Sequence, residues 1–269
     1  MRKAVLLARG LGRRMRAADE RAVLAAEQAR YAESGLKAMI PVGRPFLDYL
    51  LSGLADAGYE QACLVIGPEH EAVREYYTRR APPRRVQVEF AIQGEPLGTA
   101  NALLAAESFT DGEEFLVANA DNLYPVPVLG ELRGLGEPGL PLFEPAALVG
   151  ESNIPPERLR DFAFGWADHS GYLKELIEKP DDATLQSLPA EAGVSMNVWR
   201  FGAEIFQVCR GAALSPRGEY ELPSAVNAAV GQGGLRLKVI RASAGVLDLS
   251  RRGDVAEVAR RLGAREPNP

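Results

Sequence analysis

The first half of the chain alternates short apolar runs with amphipathic segments, and this alternation constrains the fold more than any other feature. The apolar runs predict buried strands, and the segments between them predict helices. The strands are expected at 4–8, 62–66, 86–92 and 115–118, and the helices at 46–57, 69–80 and 98–108. Strands that alternate with helices form a mainly parallel sheet with right-handed crossovers. The predicted fold class is therefore α/β, a Rossmann-like mixed sheet flanked by helices.

The second half is less regular, with a hairpin expected over 162–177 around the turn Asp168-His169-Ser170-Gly171. Further strands are expected at 142–149, 194–201, 235–241 and 246–249, and helices at 221–230 and 254–262. Residues 17–34 are rich in alanine, glutamate and arginine and predict a helix, either a lid over a site or a solvated surface helix. The last four residues, 266–269, are expected to be a loose tail.

Charge and composition exclude several classes of protein. The net charge is −5, whereas a general nucleic-acid or membrane-surface binder would be basic. The two cysteines, Cys63 and Cys209, lie in apolar runs without the spacing of a zinc site, so we expect buried thiols. No apolar run approaches the length of a membrane span, and we expect a cytoplasmic protein of one domain, 1–269.

A glycine- and arginine-rich stretch follows the first predicted strand directly. It reads Arg9-Gly10-Leu11-Gly12-Arg13-Arg14 and is called the glycine–arginine loop below. Glycine lets backbone N–H groups converge on an anion, and arginine adds a forked cation that suits phosphate oxygens. Ligands of parallel α/β sheets bind outside the carboxyl ends of the strands, where Gln93 and Asp121 are also expected. The stretch therefore predicts a triphosphate-binding loop.

With these pieces in order, the chain resembles the sugar-1-phosphate nucleotidylyltransferases. The resemblance rests on the glycine–arginine loop, Lys37 before Pro41 and Pro45, the segment Gln93-Gly94-Glu95-Pro96-Leu97-Gly98-Thr99-Ala100, Asp121, Glu178-Lys179-Pro180, Asn197 and Asp248. It implies the nucleotide-diphospho-sugar transferase fold, with a nucleotide-binding half at 1–125. The other half, 126–269, would hold the sugar phosphate in a smaller lobe.

The resemblance also implies a reaction and the residues that perform it. A sugar 1-phosphate attacks the α-phosphorus of a nucleoside triphosphate, and pyrophosphate leaves. The implied catalytic residues are Arg14, Lys37, Asp121 and Lys179. The implied nucleotide-binding residues are Ala8, Gly10, Gly12, Arg13, Gln93, Pro96, Gly98 and Thr99. The implied sugar-phosphate residues are Asn122, Glu178, Lys179, Asn197 and Trp199, and Asp121 and Asp248 would hold Mg²⁺, a cation that prefers hard oxygen ligands.

The substrates expected from the resemblance are a hexose 1-phosphate, foremost glucose 1-phosphate, and UTP or dTTP. Three alternatives stay open: a mannose-1-phosphate guanylyltransferase, a phosphocholine cytidylyltransferase, and a nucleotide-sugar-binding regulatory subunit without catalysis. A dinucleotide-binding oxidoreductase is disfavoured because Met15 stands where its fingerprint needs a third glycine. The sequence does not decide whether the chain forms a homo-oligomer.

This chain departs from the pattern of that family at several positions. Arg9 stands where alanine or glycine is usual, and Arg13 where a small hydroxyl residue is usual. Leu249-Ser250-Arg251-Arg252-Gly253 replaces the usual glycine, threonine and proline after Asp248. The extra arginines would strengthen triphosphate binding, accept an unusually acidic ligand, or mark altered or lost catalysis.

Overall fold

One large mixed sheet organises the chain in the computed structural model, which describes residues 1–19 and 22–269. The strand order is β3-β2-β1-β4-β10-β6-β9-β7-β8, and β11 pairs with β6. The strands of this sheet are β1 (Lys3–Leu7), β2 (Gln61–Ile66), β3 (Gln87–Ile92), β4 (Phe115–Asn119), β6 (Gly139–Phe143), β7 (Ala163–Ala167), β8 (Leu173–Glu178), β9 (Gly193–Ser195), β10 (Val198–Phe201) and β11 (Lys238–Ala242). A separate antiparallel pair joins β5 (Asn122–Leu123) to β12 (Leu247–Asp248).

The first four strands of the large sheet run parallel. β1 lies between β2 and β4, and β2 also pairs with β3. The register places Leu7 opposite both Val65 and Asn119, so the carboxyl ends of these strands meet at one edge. A ligand site is therefore expected at this edge, outside the carboxyl ends of the parallel strands.

Beyond β4 the sheet continues with antiparallel ladders. β10 pairs with β4, and β6, β9, β7 and β8 follow in antiparallel order. The single strand predicted over 194–201 is wrong, because Asn197 has a φ of +54° and separates β9 from β10. Asparagine tolerates this left-handed backbone better than most residues. The hairpin predicted over 162–177 is confirmed as β7 and β8.

Helices cover both faces of the sheet and bury two apolar clusters. They are α1 (Arg13–Arg16), α2 (Ala26–Ser34), α3 (Phe46–Asp56), α4 (Glu71–Glu75), α5 (Thr99–Leu104), α6 (Glu107–Thr110), α7 (Val126–Gly134), α8 (Pro145–Glu151), α9 (Asp182–Ser187), α10 (Glu204–Arg210), α11 (Leu222–Gly231) and α12 (Asp254–Leu262). Short 3₁₀ helices span Lys37–Met39 and Pro156–Asp161, and a π-helical turn, Tyr76–Arg80, extends α4. Phe46 of α3 is fully buried in one cluster, and Leu103 of α5 in the other.

Two further predicted elements are wrong in the structure. The strand expected over 142–149 ends at Phe143, because Pro145 occupies the first turn of α8 and cannot continue a ladder. The helix expected over 17–34 begins only at Ala26, where the Gln28 side chain accepts a hydrogen bond from the Ala25 N–H. Of the remainder, residues 17–19 and 22–25 are not helical, and residues 20 and 21 lie outside the described part.

The last residues are held against the body of the protein, so the prediction of a loose tail is also wrong. The carbonyl oxygen of Pro269 accepts a hydrogen bond of 2.8 Å from the Arg84 backbone N–H. The Asn268 N–H donates to Ser52 Oγ at 3.1 Å. Among the described residues, no helix is both long and apolar enough to cross a membrane.

Candidate active site

A cavity of about 340 Å³ opens at the carboxyl ends of β1 and β4. It brings together most of the residues that the sequence singled out. Those that line it are Ala8, Gly10, Gly12, Arg13, Arg14, Lys37, Pro96, Gly98, Thr99, Asp121, Asn122, Glu178, Lys179, Asn197 and Asp248. Gln93 and Trp199 do not line it. The cavity therefore joins distant parts of the chain, from Leu7 to Ser250.

The glycine–arginine loop forms one wall and leads into the short helix α1. Gly12 has a φ of +59° and stands directly before that helix. Arg13 is exposed at the cavity, while Arg14 Nη1 donates to Asp161 Oδ2 at 2.9 Å. Arg251 Nη2 donates to the same Asp161 oxygen at 2.8 Å. The loop thus presents cations to the cavity, and one of them is already paired with a carboxylate from the opposite wall.

Lys37 and Asp121 meet at the centre of the cavity. Lys37 begins the 3₁₀ helix Lys37–Met39, and its Nζ donates to Asp121 Oδ2 in an ion pair. Asp121 comes two residues after the end of β4, and only about a sixth of its side chain is exposed. Because both groups are largely withdrawn from water, their charges act on a ligand with little screening.

Asp248 lies behind this pair, and hydrogen bonds hold both of its carboxylate oxygens. Its Oδ1 accepts hydrogen bonds from Asn122 Nδ2 at 3.0 Å and from Ser250 Oγ at 2.8 Å. Its Oδ2 accepts from Nη2 of the buried Arg158, whose Nη1 donates to Asp254 at 2.7 Å. Burial raises the pKa of Asp248, repulsion from the Asp121 carboxylate adds to this, and Arg158 opposes it.

Asp121 and Asp248 differ in how well they fit the predicted magnesium ion. Asp121 fits, because it borders the cavity and offers hard oxygen atoms to it. Both oxygens of Asp248 already accept hydrogen bonds within the protein. Among the described residues, no three His, Cys, Asp or Glu side chains form a metal cluster. The donor set therefore suits a cation that Asp121 shares with substrate phosphates and water.

Glu178 and Lys179 form the opposite wall at the end of β8. Lys179 Nζ lies 3.2 Å from Glu178 Oε1, and Lys179 has a φ of +48°. Arg217 joins them, with Nη2 3.7 Å from the same Glu178 oxygen and an ion pair to Glu221. Burial raises the pKa of Glu178, and Lys179 partly opposes this. This wall offers two cations and one carboxylate with a raised pKa.

Gln93 is placed behind the cavity rather than at its surface. It is almost fully buried, and its Nε2 donates to the Gly98 carbonyl at 3.1 Å and to Asn101 Oδ1 at 2.9 Å. These two bonds fix the orientation of the amide. Its Oε1 is buried and has no hydrogen-bond partner in the described structure. In the described part of the chain the amide nitrogen of Gln93 is therefore satisfied and the amide oxygen is not.

Gly98 and Thr99 connect the two halves of the molecule. Gly98 has a φ of +110°, and a Cβ placed there would lie 2.5 Å from the Tyr220 carbonyl oxygen. Thr99 Oγ1 accepts a hydrogen bond of 2.8 Å from the Leu222 N–H at the start of α11. The Tyr220 backbone thus occupies the space beside Gly98. This close approach by itself accounts for a glycine at position 98, with no need for contact with a nucleotide base.

The prediction that Trp199 lines a sugar pocket is wrong. Its side chain is fully buried and stacks on Phe201, with ring centroids 5.7 Å apart. Trp199 lies opposite Val117 in the ladder of β10 and β4 and packs in the apolar core. Asn197, which precedes β10, lines the cavity instead.

Comparison with known proteins identifies the family. A family model described as nucleotidyl transferase matches residues 32–249, which is most of the chain. The chain belongs to the nucleotidyl transferase family. A similar nucleotidyl transferase is the UTP–glucose-1-phosphate uridylyltransferase AglF of Haloferax volcanii, 28% identical over 261 residues that cover 97% of this chain and 96% of that protein.

Two further comparisons extend this nucleotidyl transferase assignment. A D-glycero-alpha-D-manno-heptose 1-phosphate guanylyltransferase of Aneurinibacillus thermoaerophilus is 30% identical over 123 residues, 45% of this chain and 47% of that protein. The crystal structure of a UDP-glucose pyrophosphorylase complexed with UDP-glucose has a TM-score of 0.75 at 17% identity, covering 97% of each chain. The predicted α/β fold class and the predicted enzyme class are therefore confirmed.

Several cavity residues of this nucleotidyl transferase escaped the sequence reasoning. They are Asn119, Asp161, Arg217, Glu219, Glu221 and Ser250. Arg217-Gly218-Glu219-Tyr220-Glu221 was a visible charged segment before a helix, and its position opposite Glu178 could not be read from it. Asp161 carried no signal, because it is the last residue of a 3₁₀ helix that sequence patterns do not predict.

Proposed function

We propose that this nucleotidyl transferase couples a hexose 1-phosphate, foremost glucose 1-phosphate, to UTP or dTTP and releases pyrophosphate. The observation that carries the proposal is the Lys37–Asp121 ion pair, which lies between a loop rich in arginine and a second cationic wall. Two separate clusters of cations suit two phosphate-bearing substrates. The similarity to AglF over nearly the whole chain supports glucose 1-phosphate and UTP.

The proposed reaction needs positioning and charge neutralisation rather than a general base. The attacking phosphate oxygen of a sugar 1-phosphate is already ionised near neutral pH, and pyrophosphate leaves in line with it. Arg13 and Arg14 would bind the triphosphate, and Lys37 would neutralise charge at the α-phosphorus. Lys179 and Arg217 would hold the sugar phosphate, and Glu178 would accept a hydrogen bond from a sugar hydroxyl.

We further propose Mg²⁺ as the cofactor, with Asp121 as its carboxylate ligand. When bound, the ion would neutralise the triphosphate and add a Lewis acid to the site. Asp248 would support the metal site indirectly, since its hydrogen bonds to Asn122 and Ser250 hold the segment next to Asp121. The cytoplasm, where nucleoside triphosphates are made and used, is the compartment proposed for this activity.

The unpaired oxygen of Gln93 supports the choice of base. A buried acceptor favours a ligand that donates, and uracil and thymine carry an N–H on the edge that pairs. Cytosine has an acceptor nitrogen at that position. Guanine also offers an N–H, so a guanylyltransferase is the second candidate, and the partial similarity to a heptose 1-phosphate guanylyltransferase favours it too.

A substrate panel tests the proposal. UTP, dTTP, CTP, GTP and ATP would each be combined with glucose 1-phosphate or mannose 1-phosphate in the presence of Mg²⁺. Release of pyrophosphate and the mass of the nucleotide sugar would both be measured. Fastest turnover of UTP or dTTP with glucose 1-phosphate supports the proposal, and fastest turnover of GTP with mannose 1-phosphate supports the second candidate. Nucleotide-sugar binding without turnover of any pair would contradict both and indicate a regulatory subunit.

A further inference from the structure

Arg9 lies in the glycine–arginine loop, yet its side chain is used inside the protein. Its Nε and Nη2 donate to Glu69 Oε1 and Oε2, both at 3.2 Å, and its Nη1 donates to the backbone oxygen of Gln93. Only 8% of its side chain is exposed. Each nitrogen of this guanidinium donates to a protein oxygen, although Arg9 also borders the cavity. The Arg9 side chain is therefore held in place by the protein, whereas the Arg13 side chain is exposed.

The surroundings of Arg9 are shaped around this pair. Gly67 follows β2, and a Cβ placed on it would lie 2.5 Å from Arg9 Nε. The same Cβ would also meet both Glu69 carboxylate oxygens, so a larger residue would force one or both partners of the ion pair to move. A backbone hydrogen bond also joins the ends of β2 and β3, because the Gln93 N–H donates to the Ile66 carbonyl at 2.9 Å. Arg9 therefore spans from the end of β1, across the end of β2, to the end of β3.

The far end of this connection is the residue with the unpaired amide oxygen. Arg9 holds the carbonyl of Gln93, while Gly98 and Asn101 hold its side-chain nitrogen. Backbone and side chain of Gln93 are thus fixed independently, and Oε1 is left as the free acceptor. A shift of the Gln93 backbone would move that acceptor relative to a base whose phosphates lie on the glycine–arginine loop.

We propose that Arg9 is a positioning residue for base selection, which sets the distance between the triphosphate loop and the Gln93 amide through its fork to Glu69. This inference rests on the proposed function only in taking Gln93 as the group that reads the base. It assigns a role to an arginine that replaces a small residue, and the role is distinct from phosphate binding. Lysine could not reproduce it, because one ammonium group cannot hold a carboxylate in a fork and a carbonyl at once.

Equilibrium binding of nucleotides by the full chain tests the inference. Dissociation constants for UTP, dTTP, CTP and GTP would be measured by calorimetry for the wild type, Arg9→Ala, Arg9→Lys and Glu69→Gln. We expect the ratio between the preferred and the poorest base to fall about tenfold in Arg9→Ala, the effect of losing one charged hydrogen bond. In Arg9→Lys and Glu69→Gln the same ratio should also fall, but by less than in Arg9→Ala. Arg2→Ala, which removes the exposed ion pair with Glu60, should leave the ratio unchanged.

Other outcomes overturn the inference. An unchanged base ratio with all nucleotides weakened equally would make Arg9 a phosphate ligand or a general structural element. Equal binding of all bases by the wild type would also overturn it. Should Arg9→Ala fail to fold, Glu69→Gln and Arg9→Lys carry the same test with smaller changes. Because binding is measured without turnover, a chain that fails the substrate panel still decides this inference.

Discussion

The carboxylate of Asp121 and the ammonium of Lys37 form an ion pair where the two walls of the cavity meet. Asp121 comes from the end of β4, and Lys37 from a 3₁₀ helix 84 residues earlier. In the proposed function, the cation would neutralise a triphosphate and the carboxylate would hold a metal ion. This geometry makes both residues sensitive positions for activity.

Asp121→Asn should reduce the nucleotidyl transfer rate by about 100-fold or more, because the substitution removes the proposed metal ligand while keeping size and shape. Lys37→Met should cause a similar loss through the missing positive charge. Turnover would be followed by pyrophosphate release and folding by thermal unfolding. Asp56→Asn, which alters only the exposed pair with Arg85, is the matched control. A fully active Asp121→Asn variant would remove Asp121 from the mechanism.

Arg158 should matter for stability far more than its neighbour Arg160. Arg158→Met leaves the carboxylates of Asp248 and Asp254 buried without their cation, which costs about 3–5 kcal/mol. Arg160→Met, in the same 3₁₀ helix, removes only an exposed pair with Asp182 and should cost at most about 1 kcal/mol. Urea unfolding of the two variants measures the difference. Equal midpoints would mean that the Asp248 cluster adds nothing to the fold.

Glu178 should make sugar-phosphate binding depend on pH. Burial raises its pKa, with Glu221 adding to the shift and Lys179 and Arg217 opposing it. As the pH falls through that raised pKa, the carboxylate becomes protonated and ceases to accept from a sugar hydroxyl, so the KM for the sugar phosphate should rise. Glu178→Gln should lack this component. The ratio of the two KM values against pH cancels the titration of the substrate, and a constant ratio would contradict the assignment.

His70 should lower the stability of the protein at acidic pH. Burial lowers its pKa, Glu69 opposes this, and Arg9 and Arg16 add to it, while Nδ1 accepts a hydrogen bond from the Gly67 N–H. Since the unfolded chain then binds more protons, the free energy of unfolding should fall as the pH drops below about 6.5, the ordinary histidine value.

His70→Asn keeps an acceptor but cannot titrate, so it should lose less stability than the wild type between pH 7.5 and pH 5.5. Urea unfolding at the two pH values gives the comparison. His169→Asn, in the exposed turn of the β7–β8 hairpin, is the control and should follow the wild type. An identical acid loss in wild type and His70→Asn would exclude His70 as its source.

The parts of the site that the sequence predicted are those whose place in the fold is determined by local sequence patterns. The glycine–arginine loop and Asp121 each follow a continuous apolar run, and parallel strands bring such ends to one edge. Arg158 and Arg217 escaped prediction because each reaches the site from an irregular segment, and its place depends on packing against distant strands. Trp199 was misplaced because Asn197 breaks the strand, and residues beyond it alternate between two buried faces.

Arg9 shows a different limit of sequence reasoning. Its position among glycines and arginines favoured a phosphate ligand, but its partners Glu69 and Gln93 follow other strands. A guanidinium within reach of both a carboxylate and a phosphate cannot be assigned from its neighbours along the chain alone. The three-dimensional arrangement of the strand ends decides between them.

The central claim is that this cavity joins an intact sugar phosphate to a nucleotidyl group. The most direct measurement incubates the protein and Mg²⁺ with UTP or dTTP and glucose 1-phosphate whose non-bridging phosphate oxygens carry ¹⁸O, followed by mass spectrometry of the products. The expected products are a nucleotide sugar that retains all of the label and unlabelled pyrophosphate. Pyrophosphate accompanied by a nucleoside monophosphate, with the sugar phosphate unchanged, would contradict the claim.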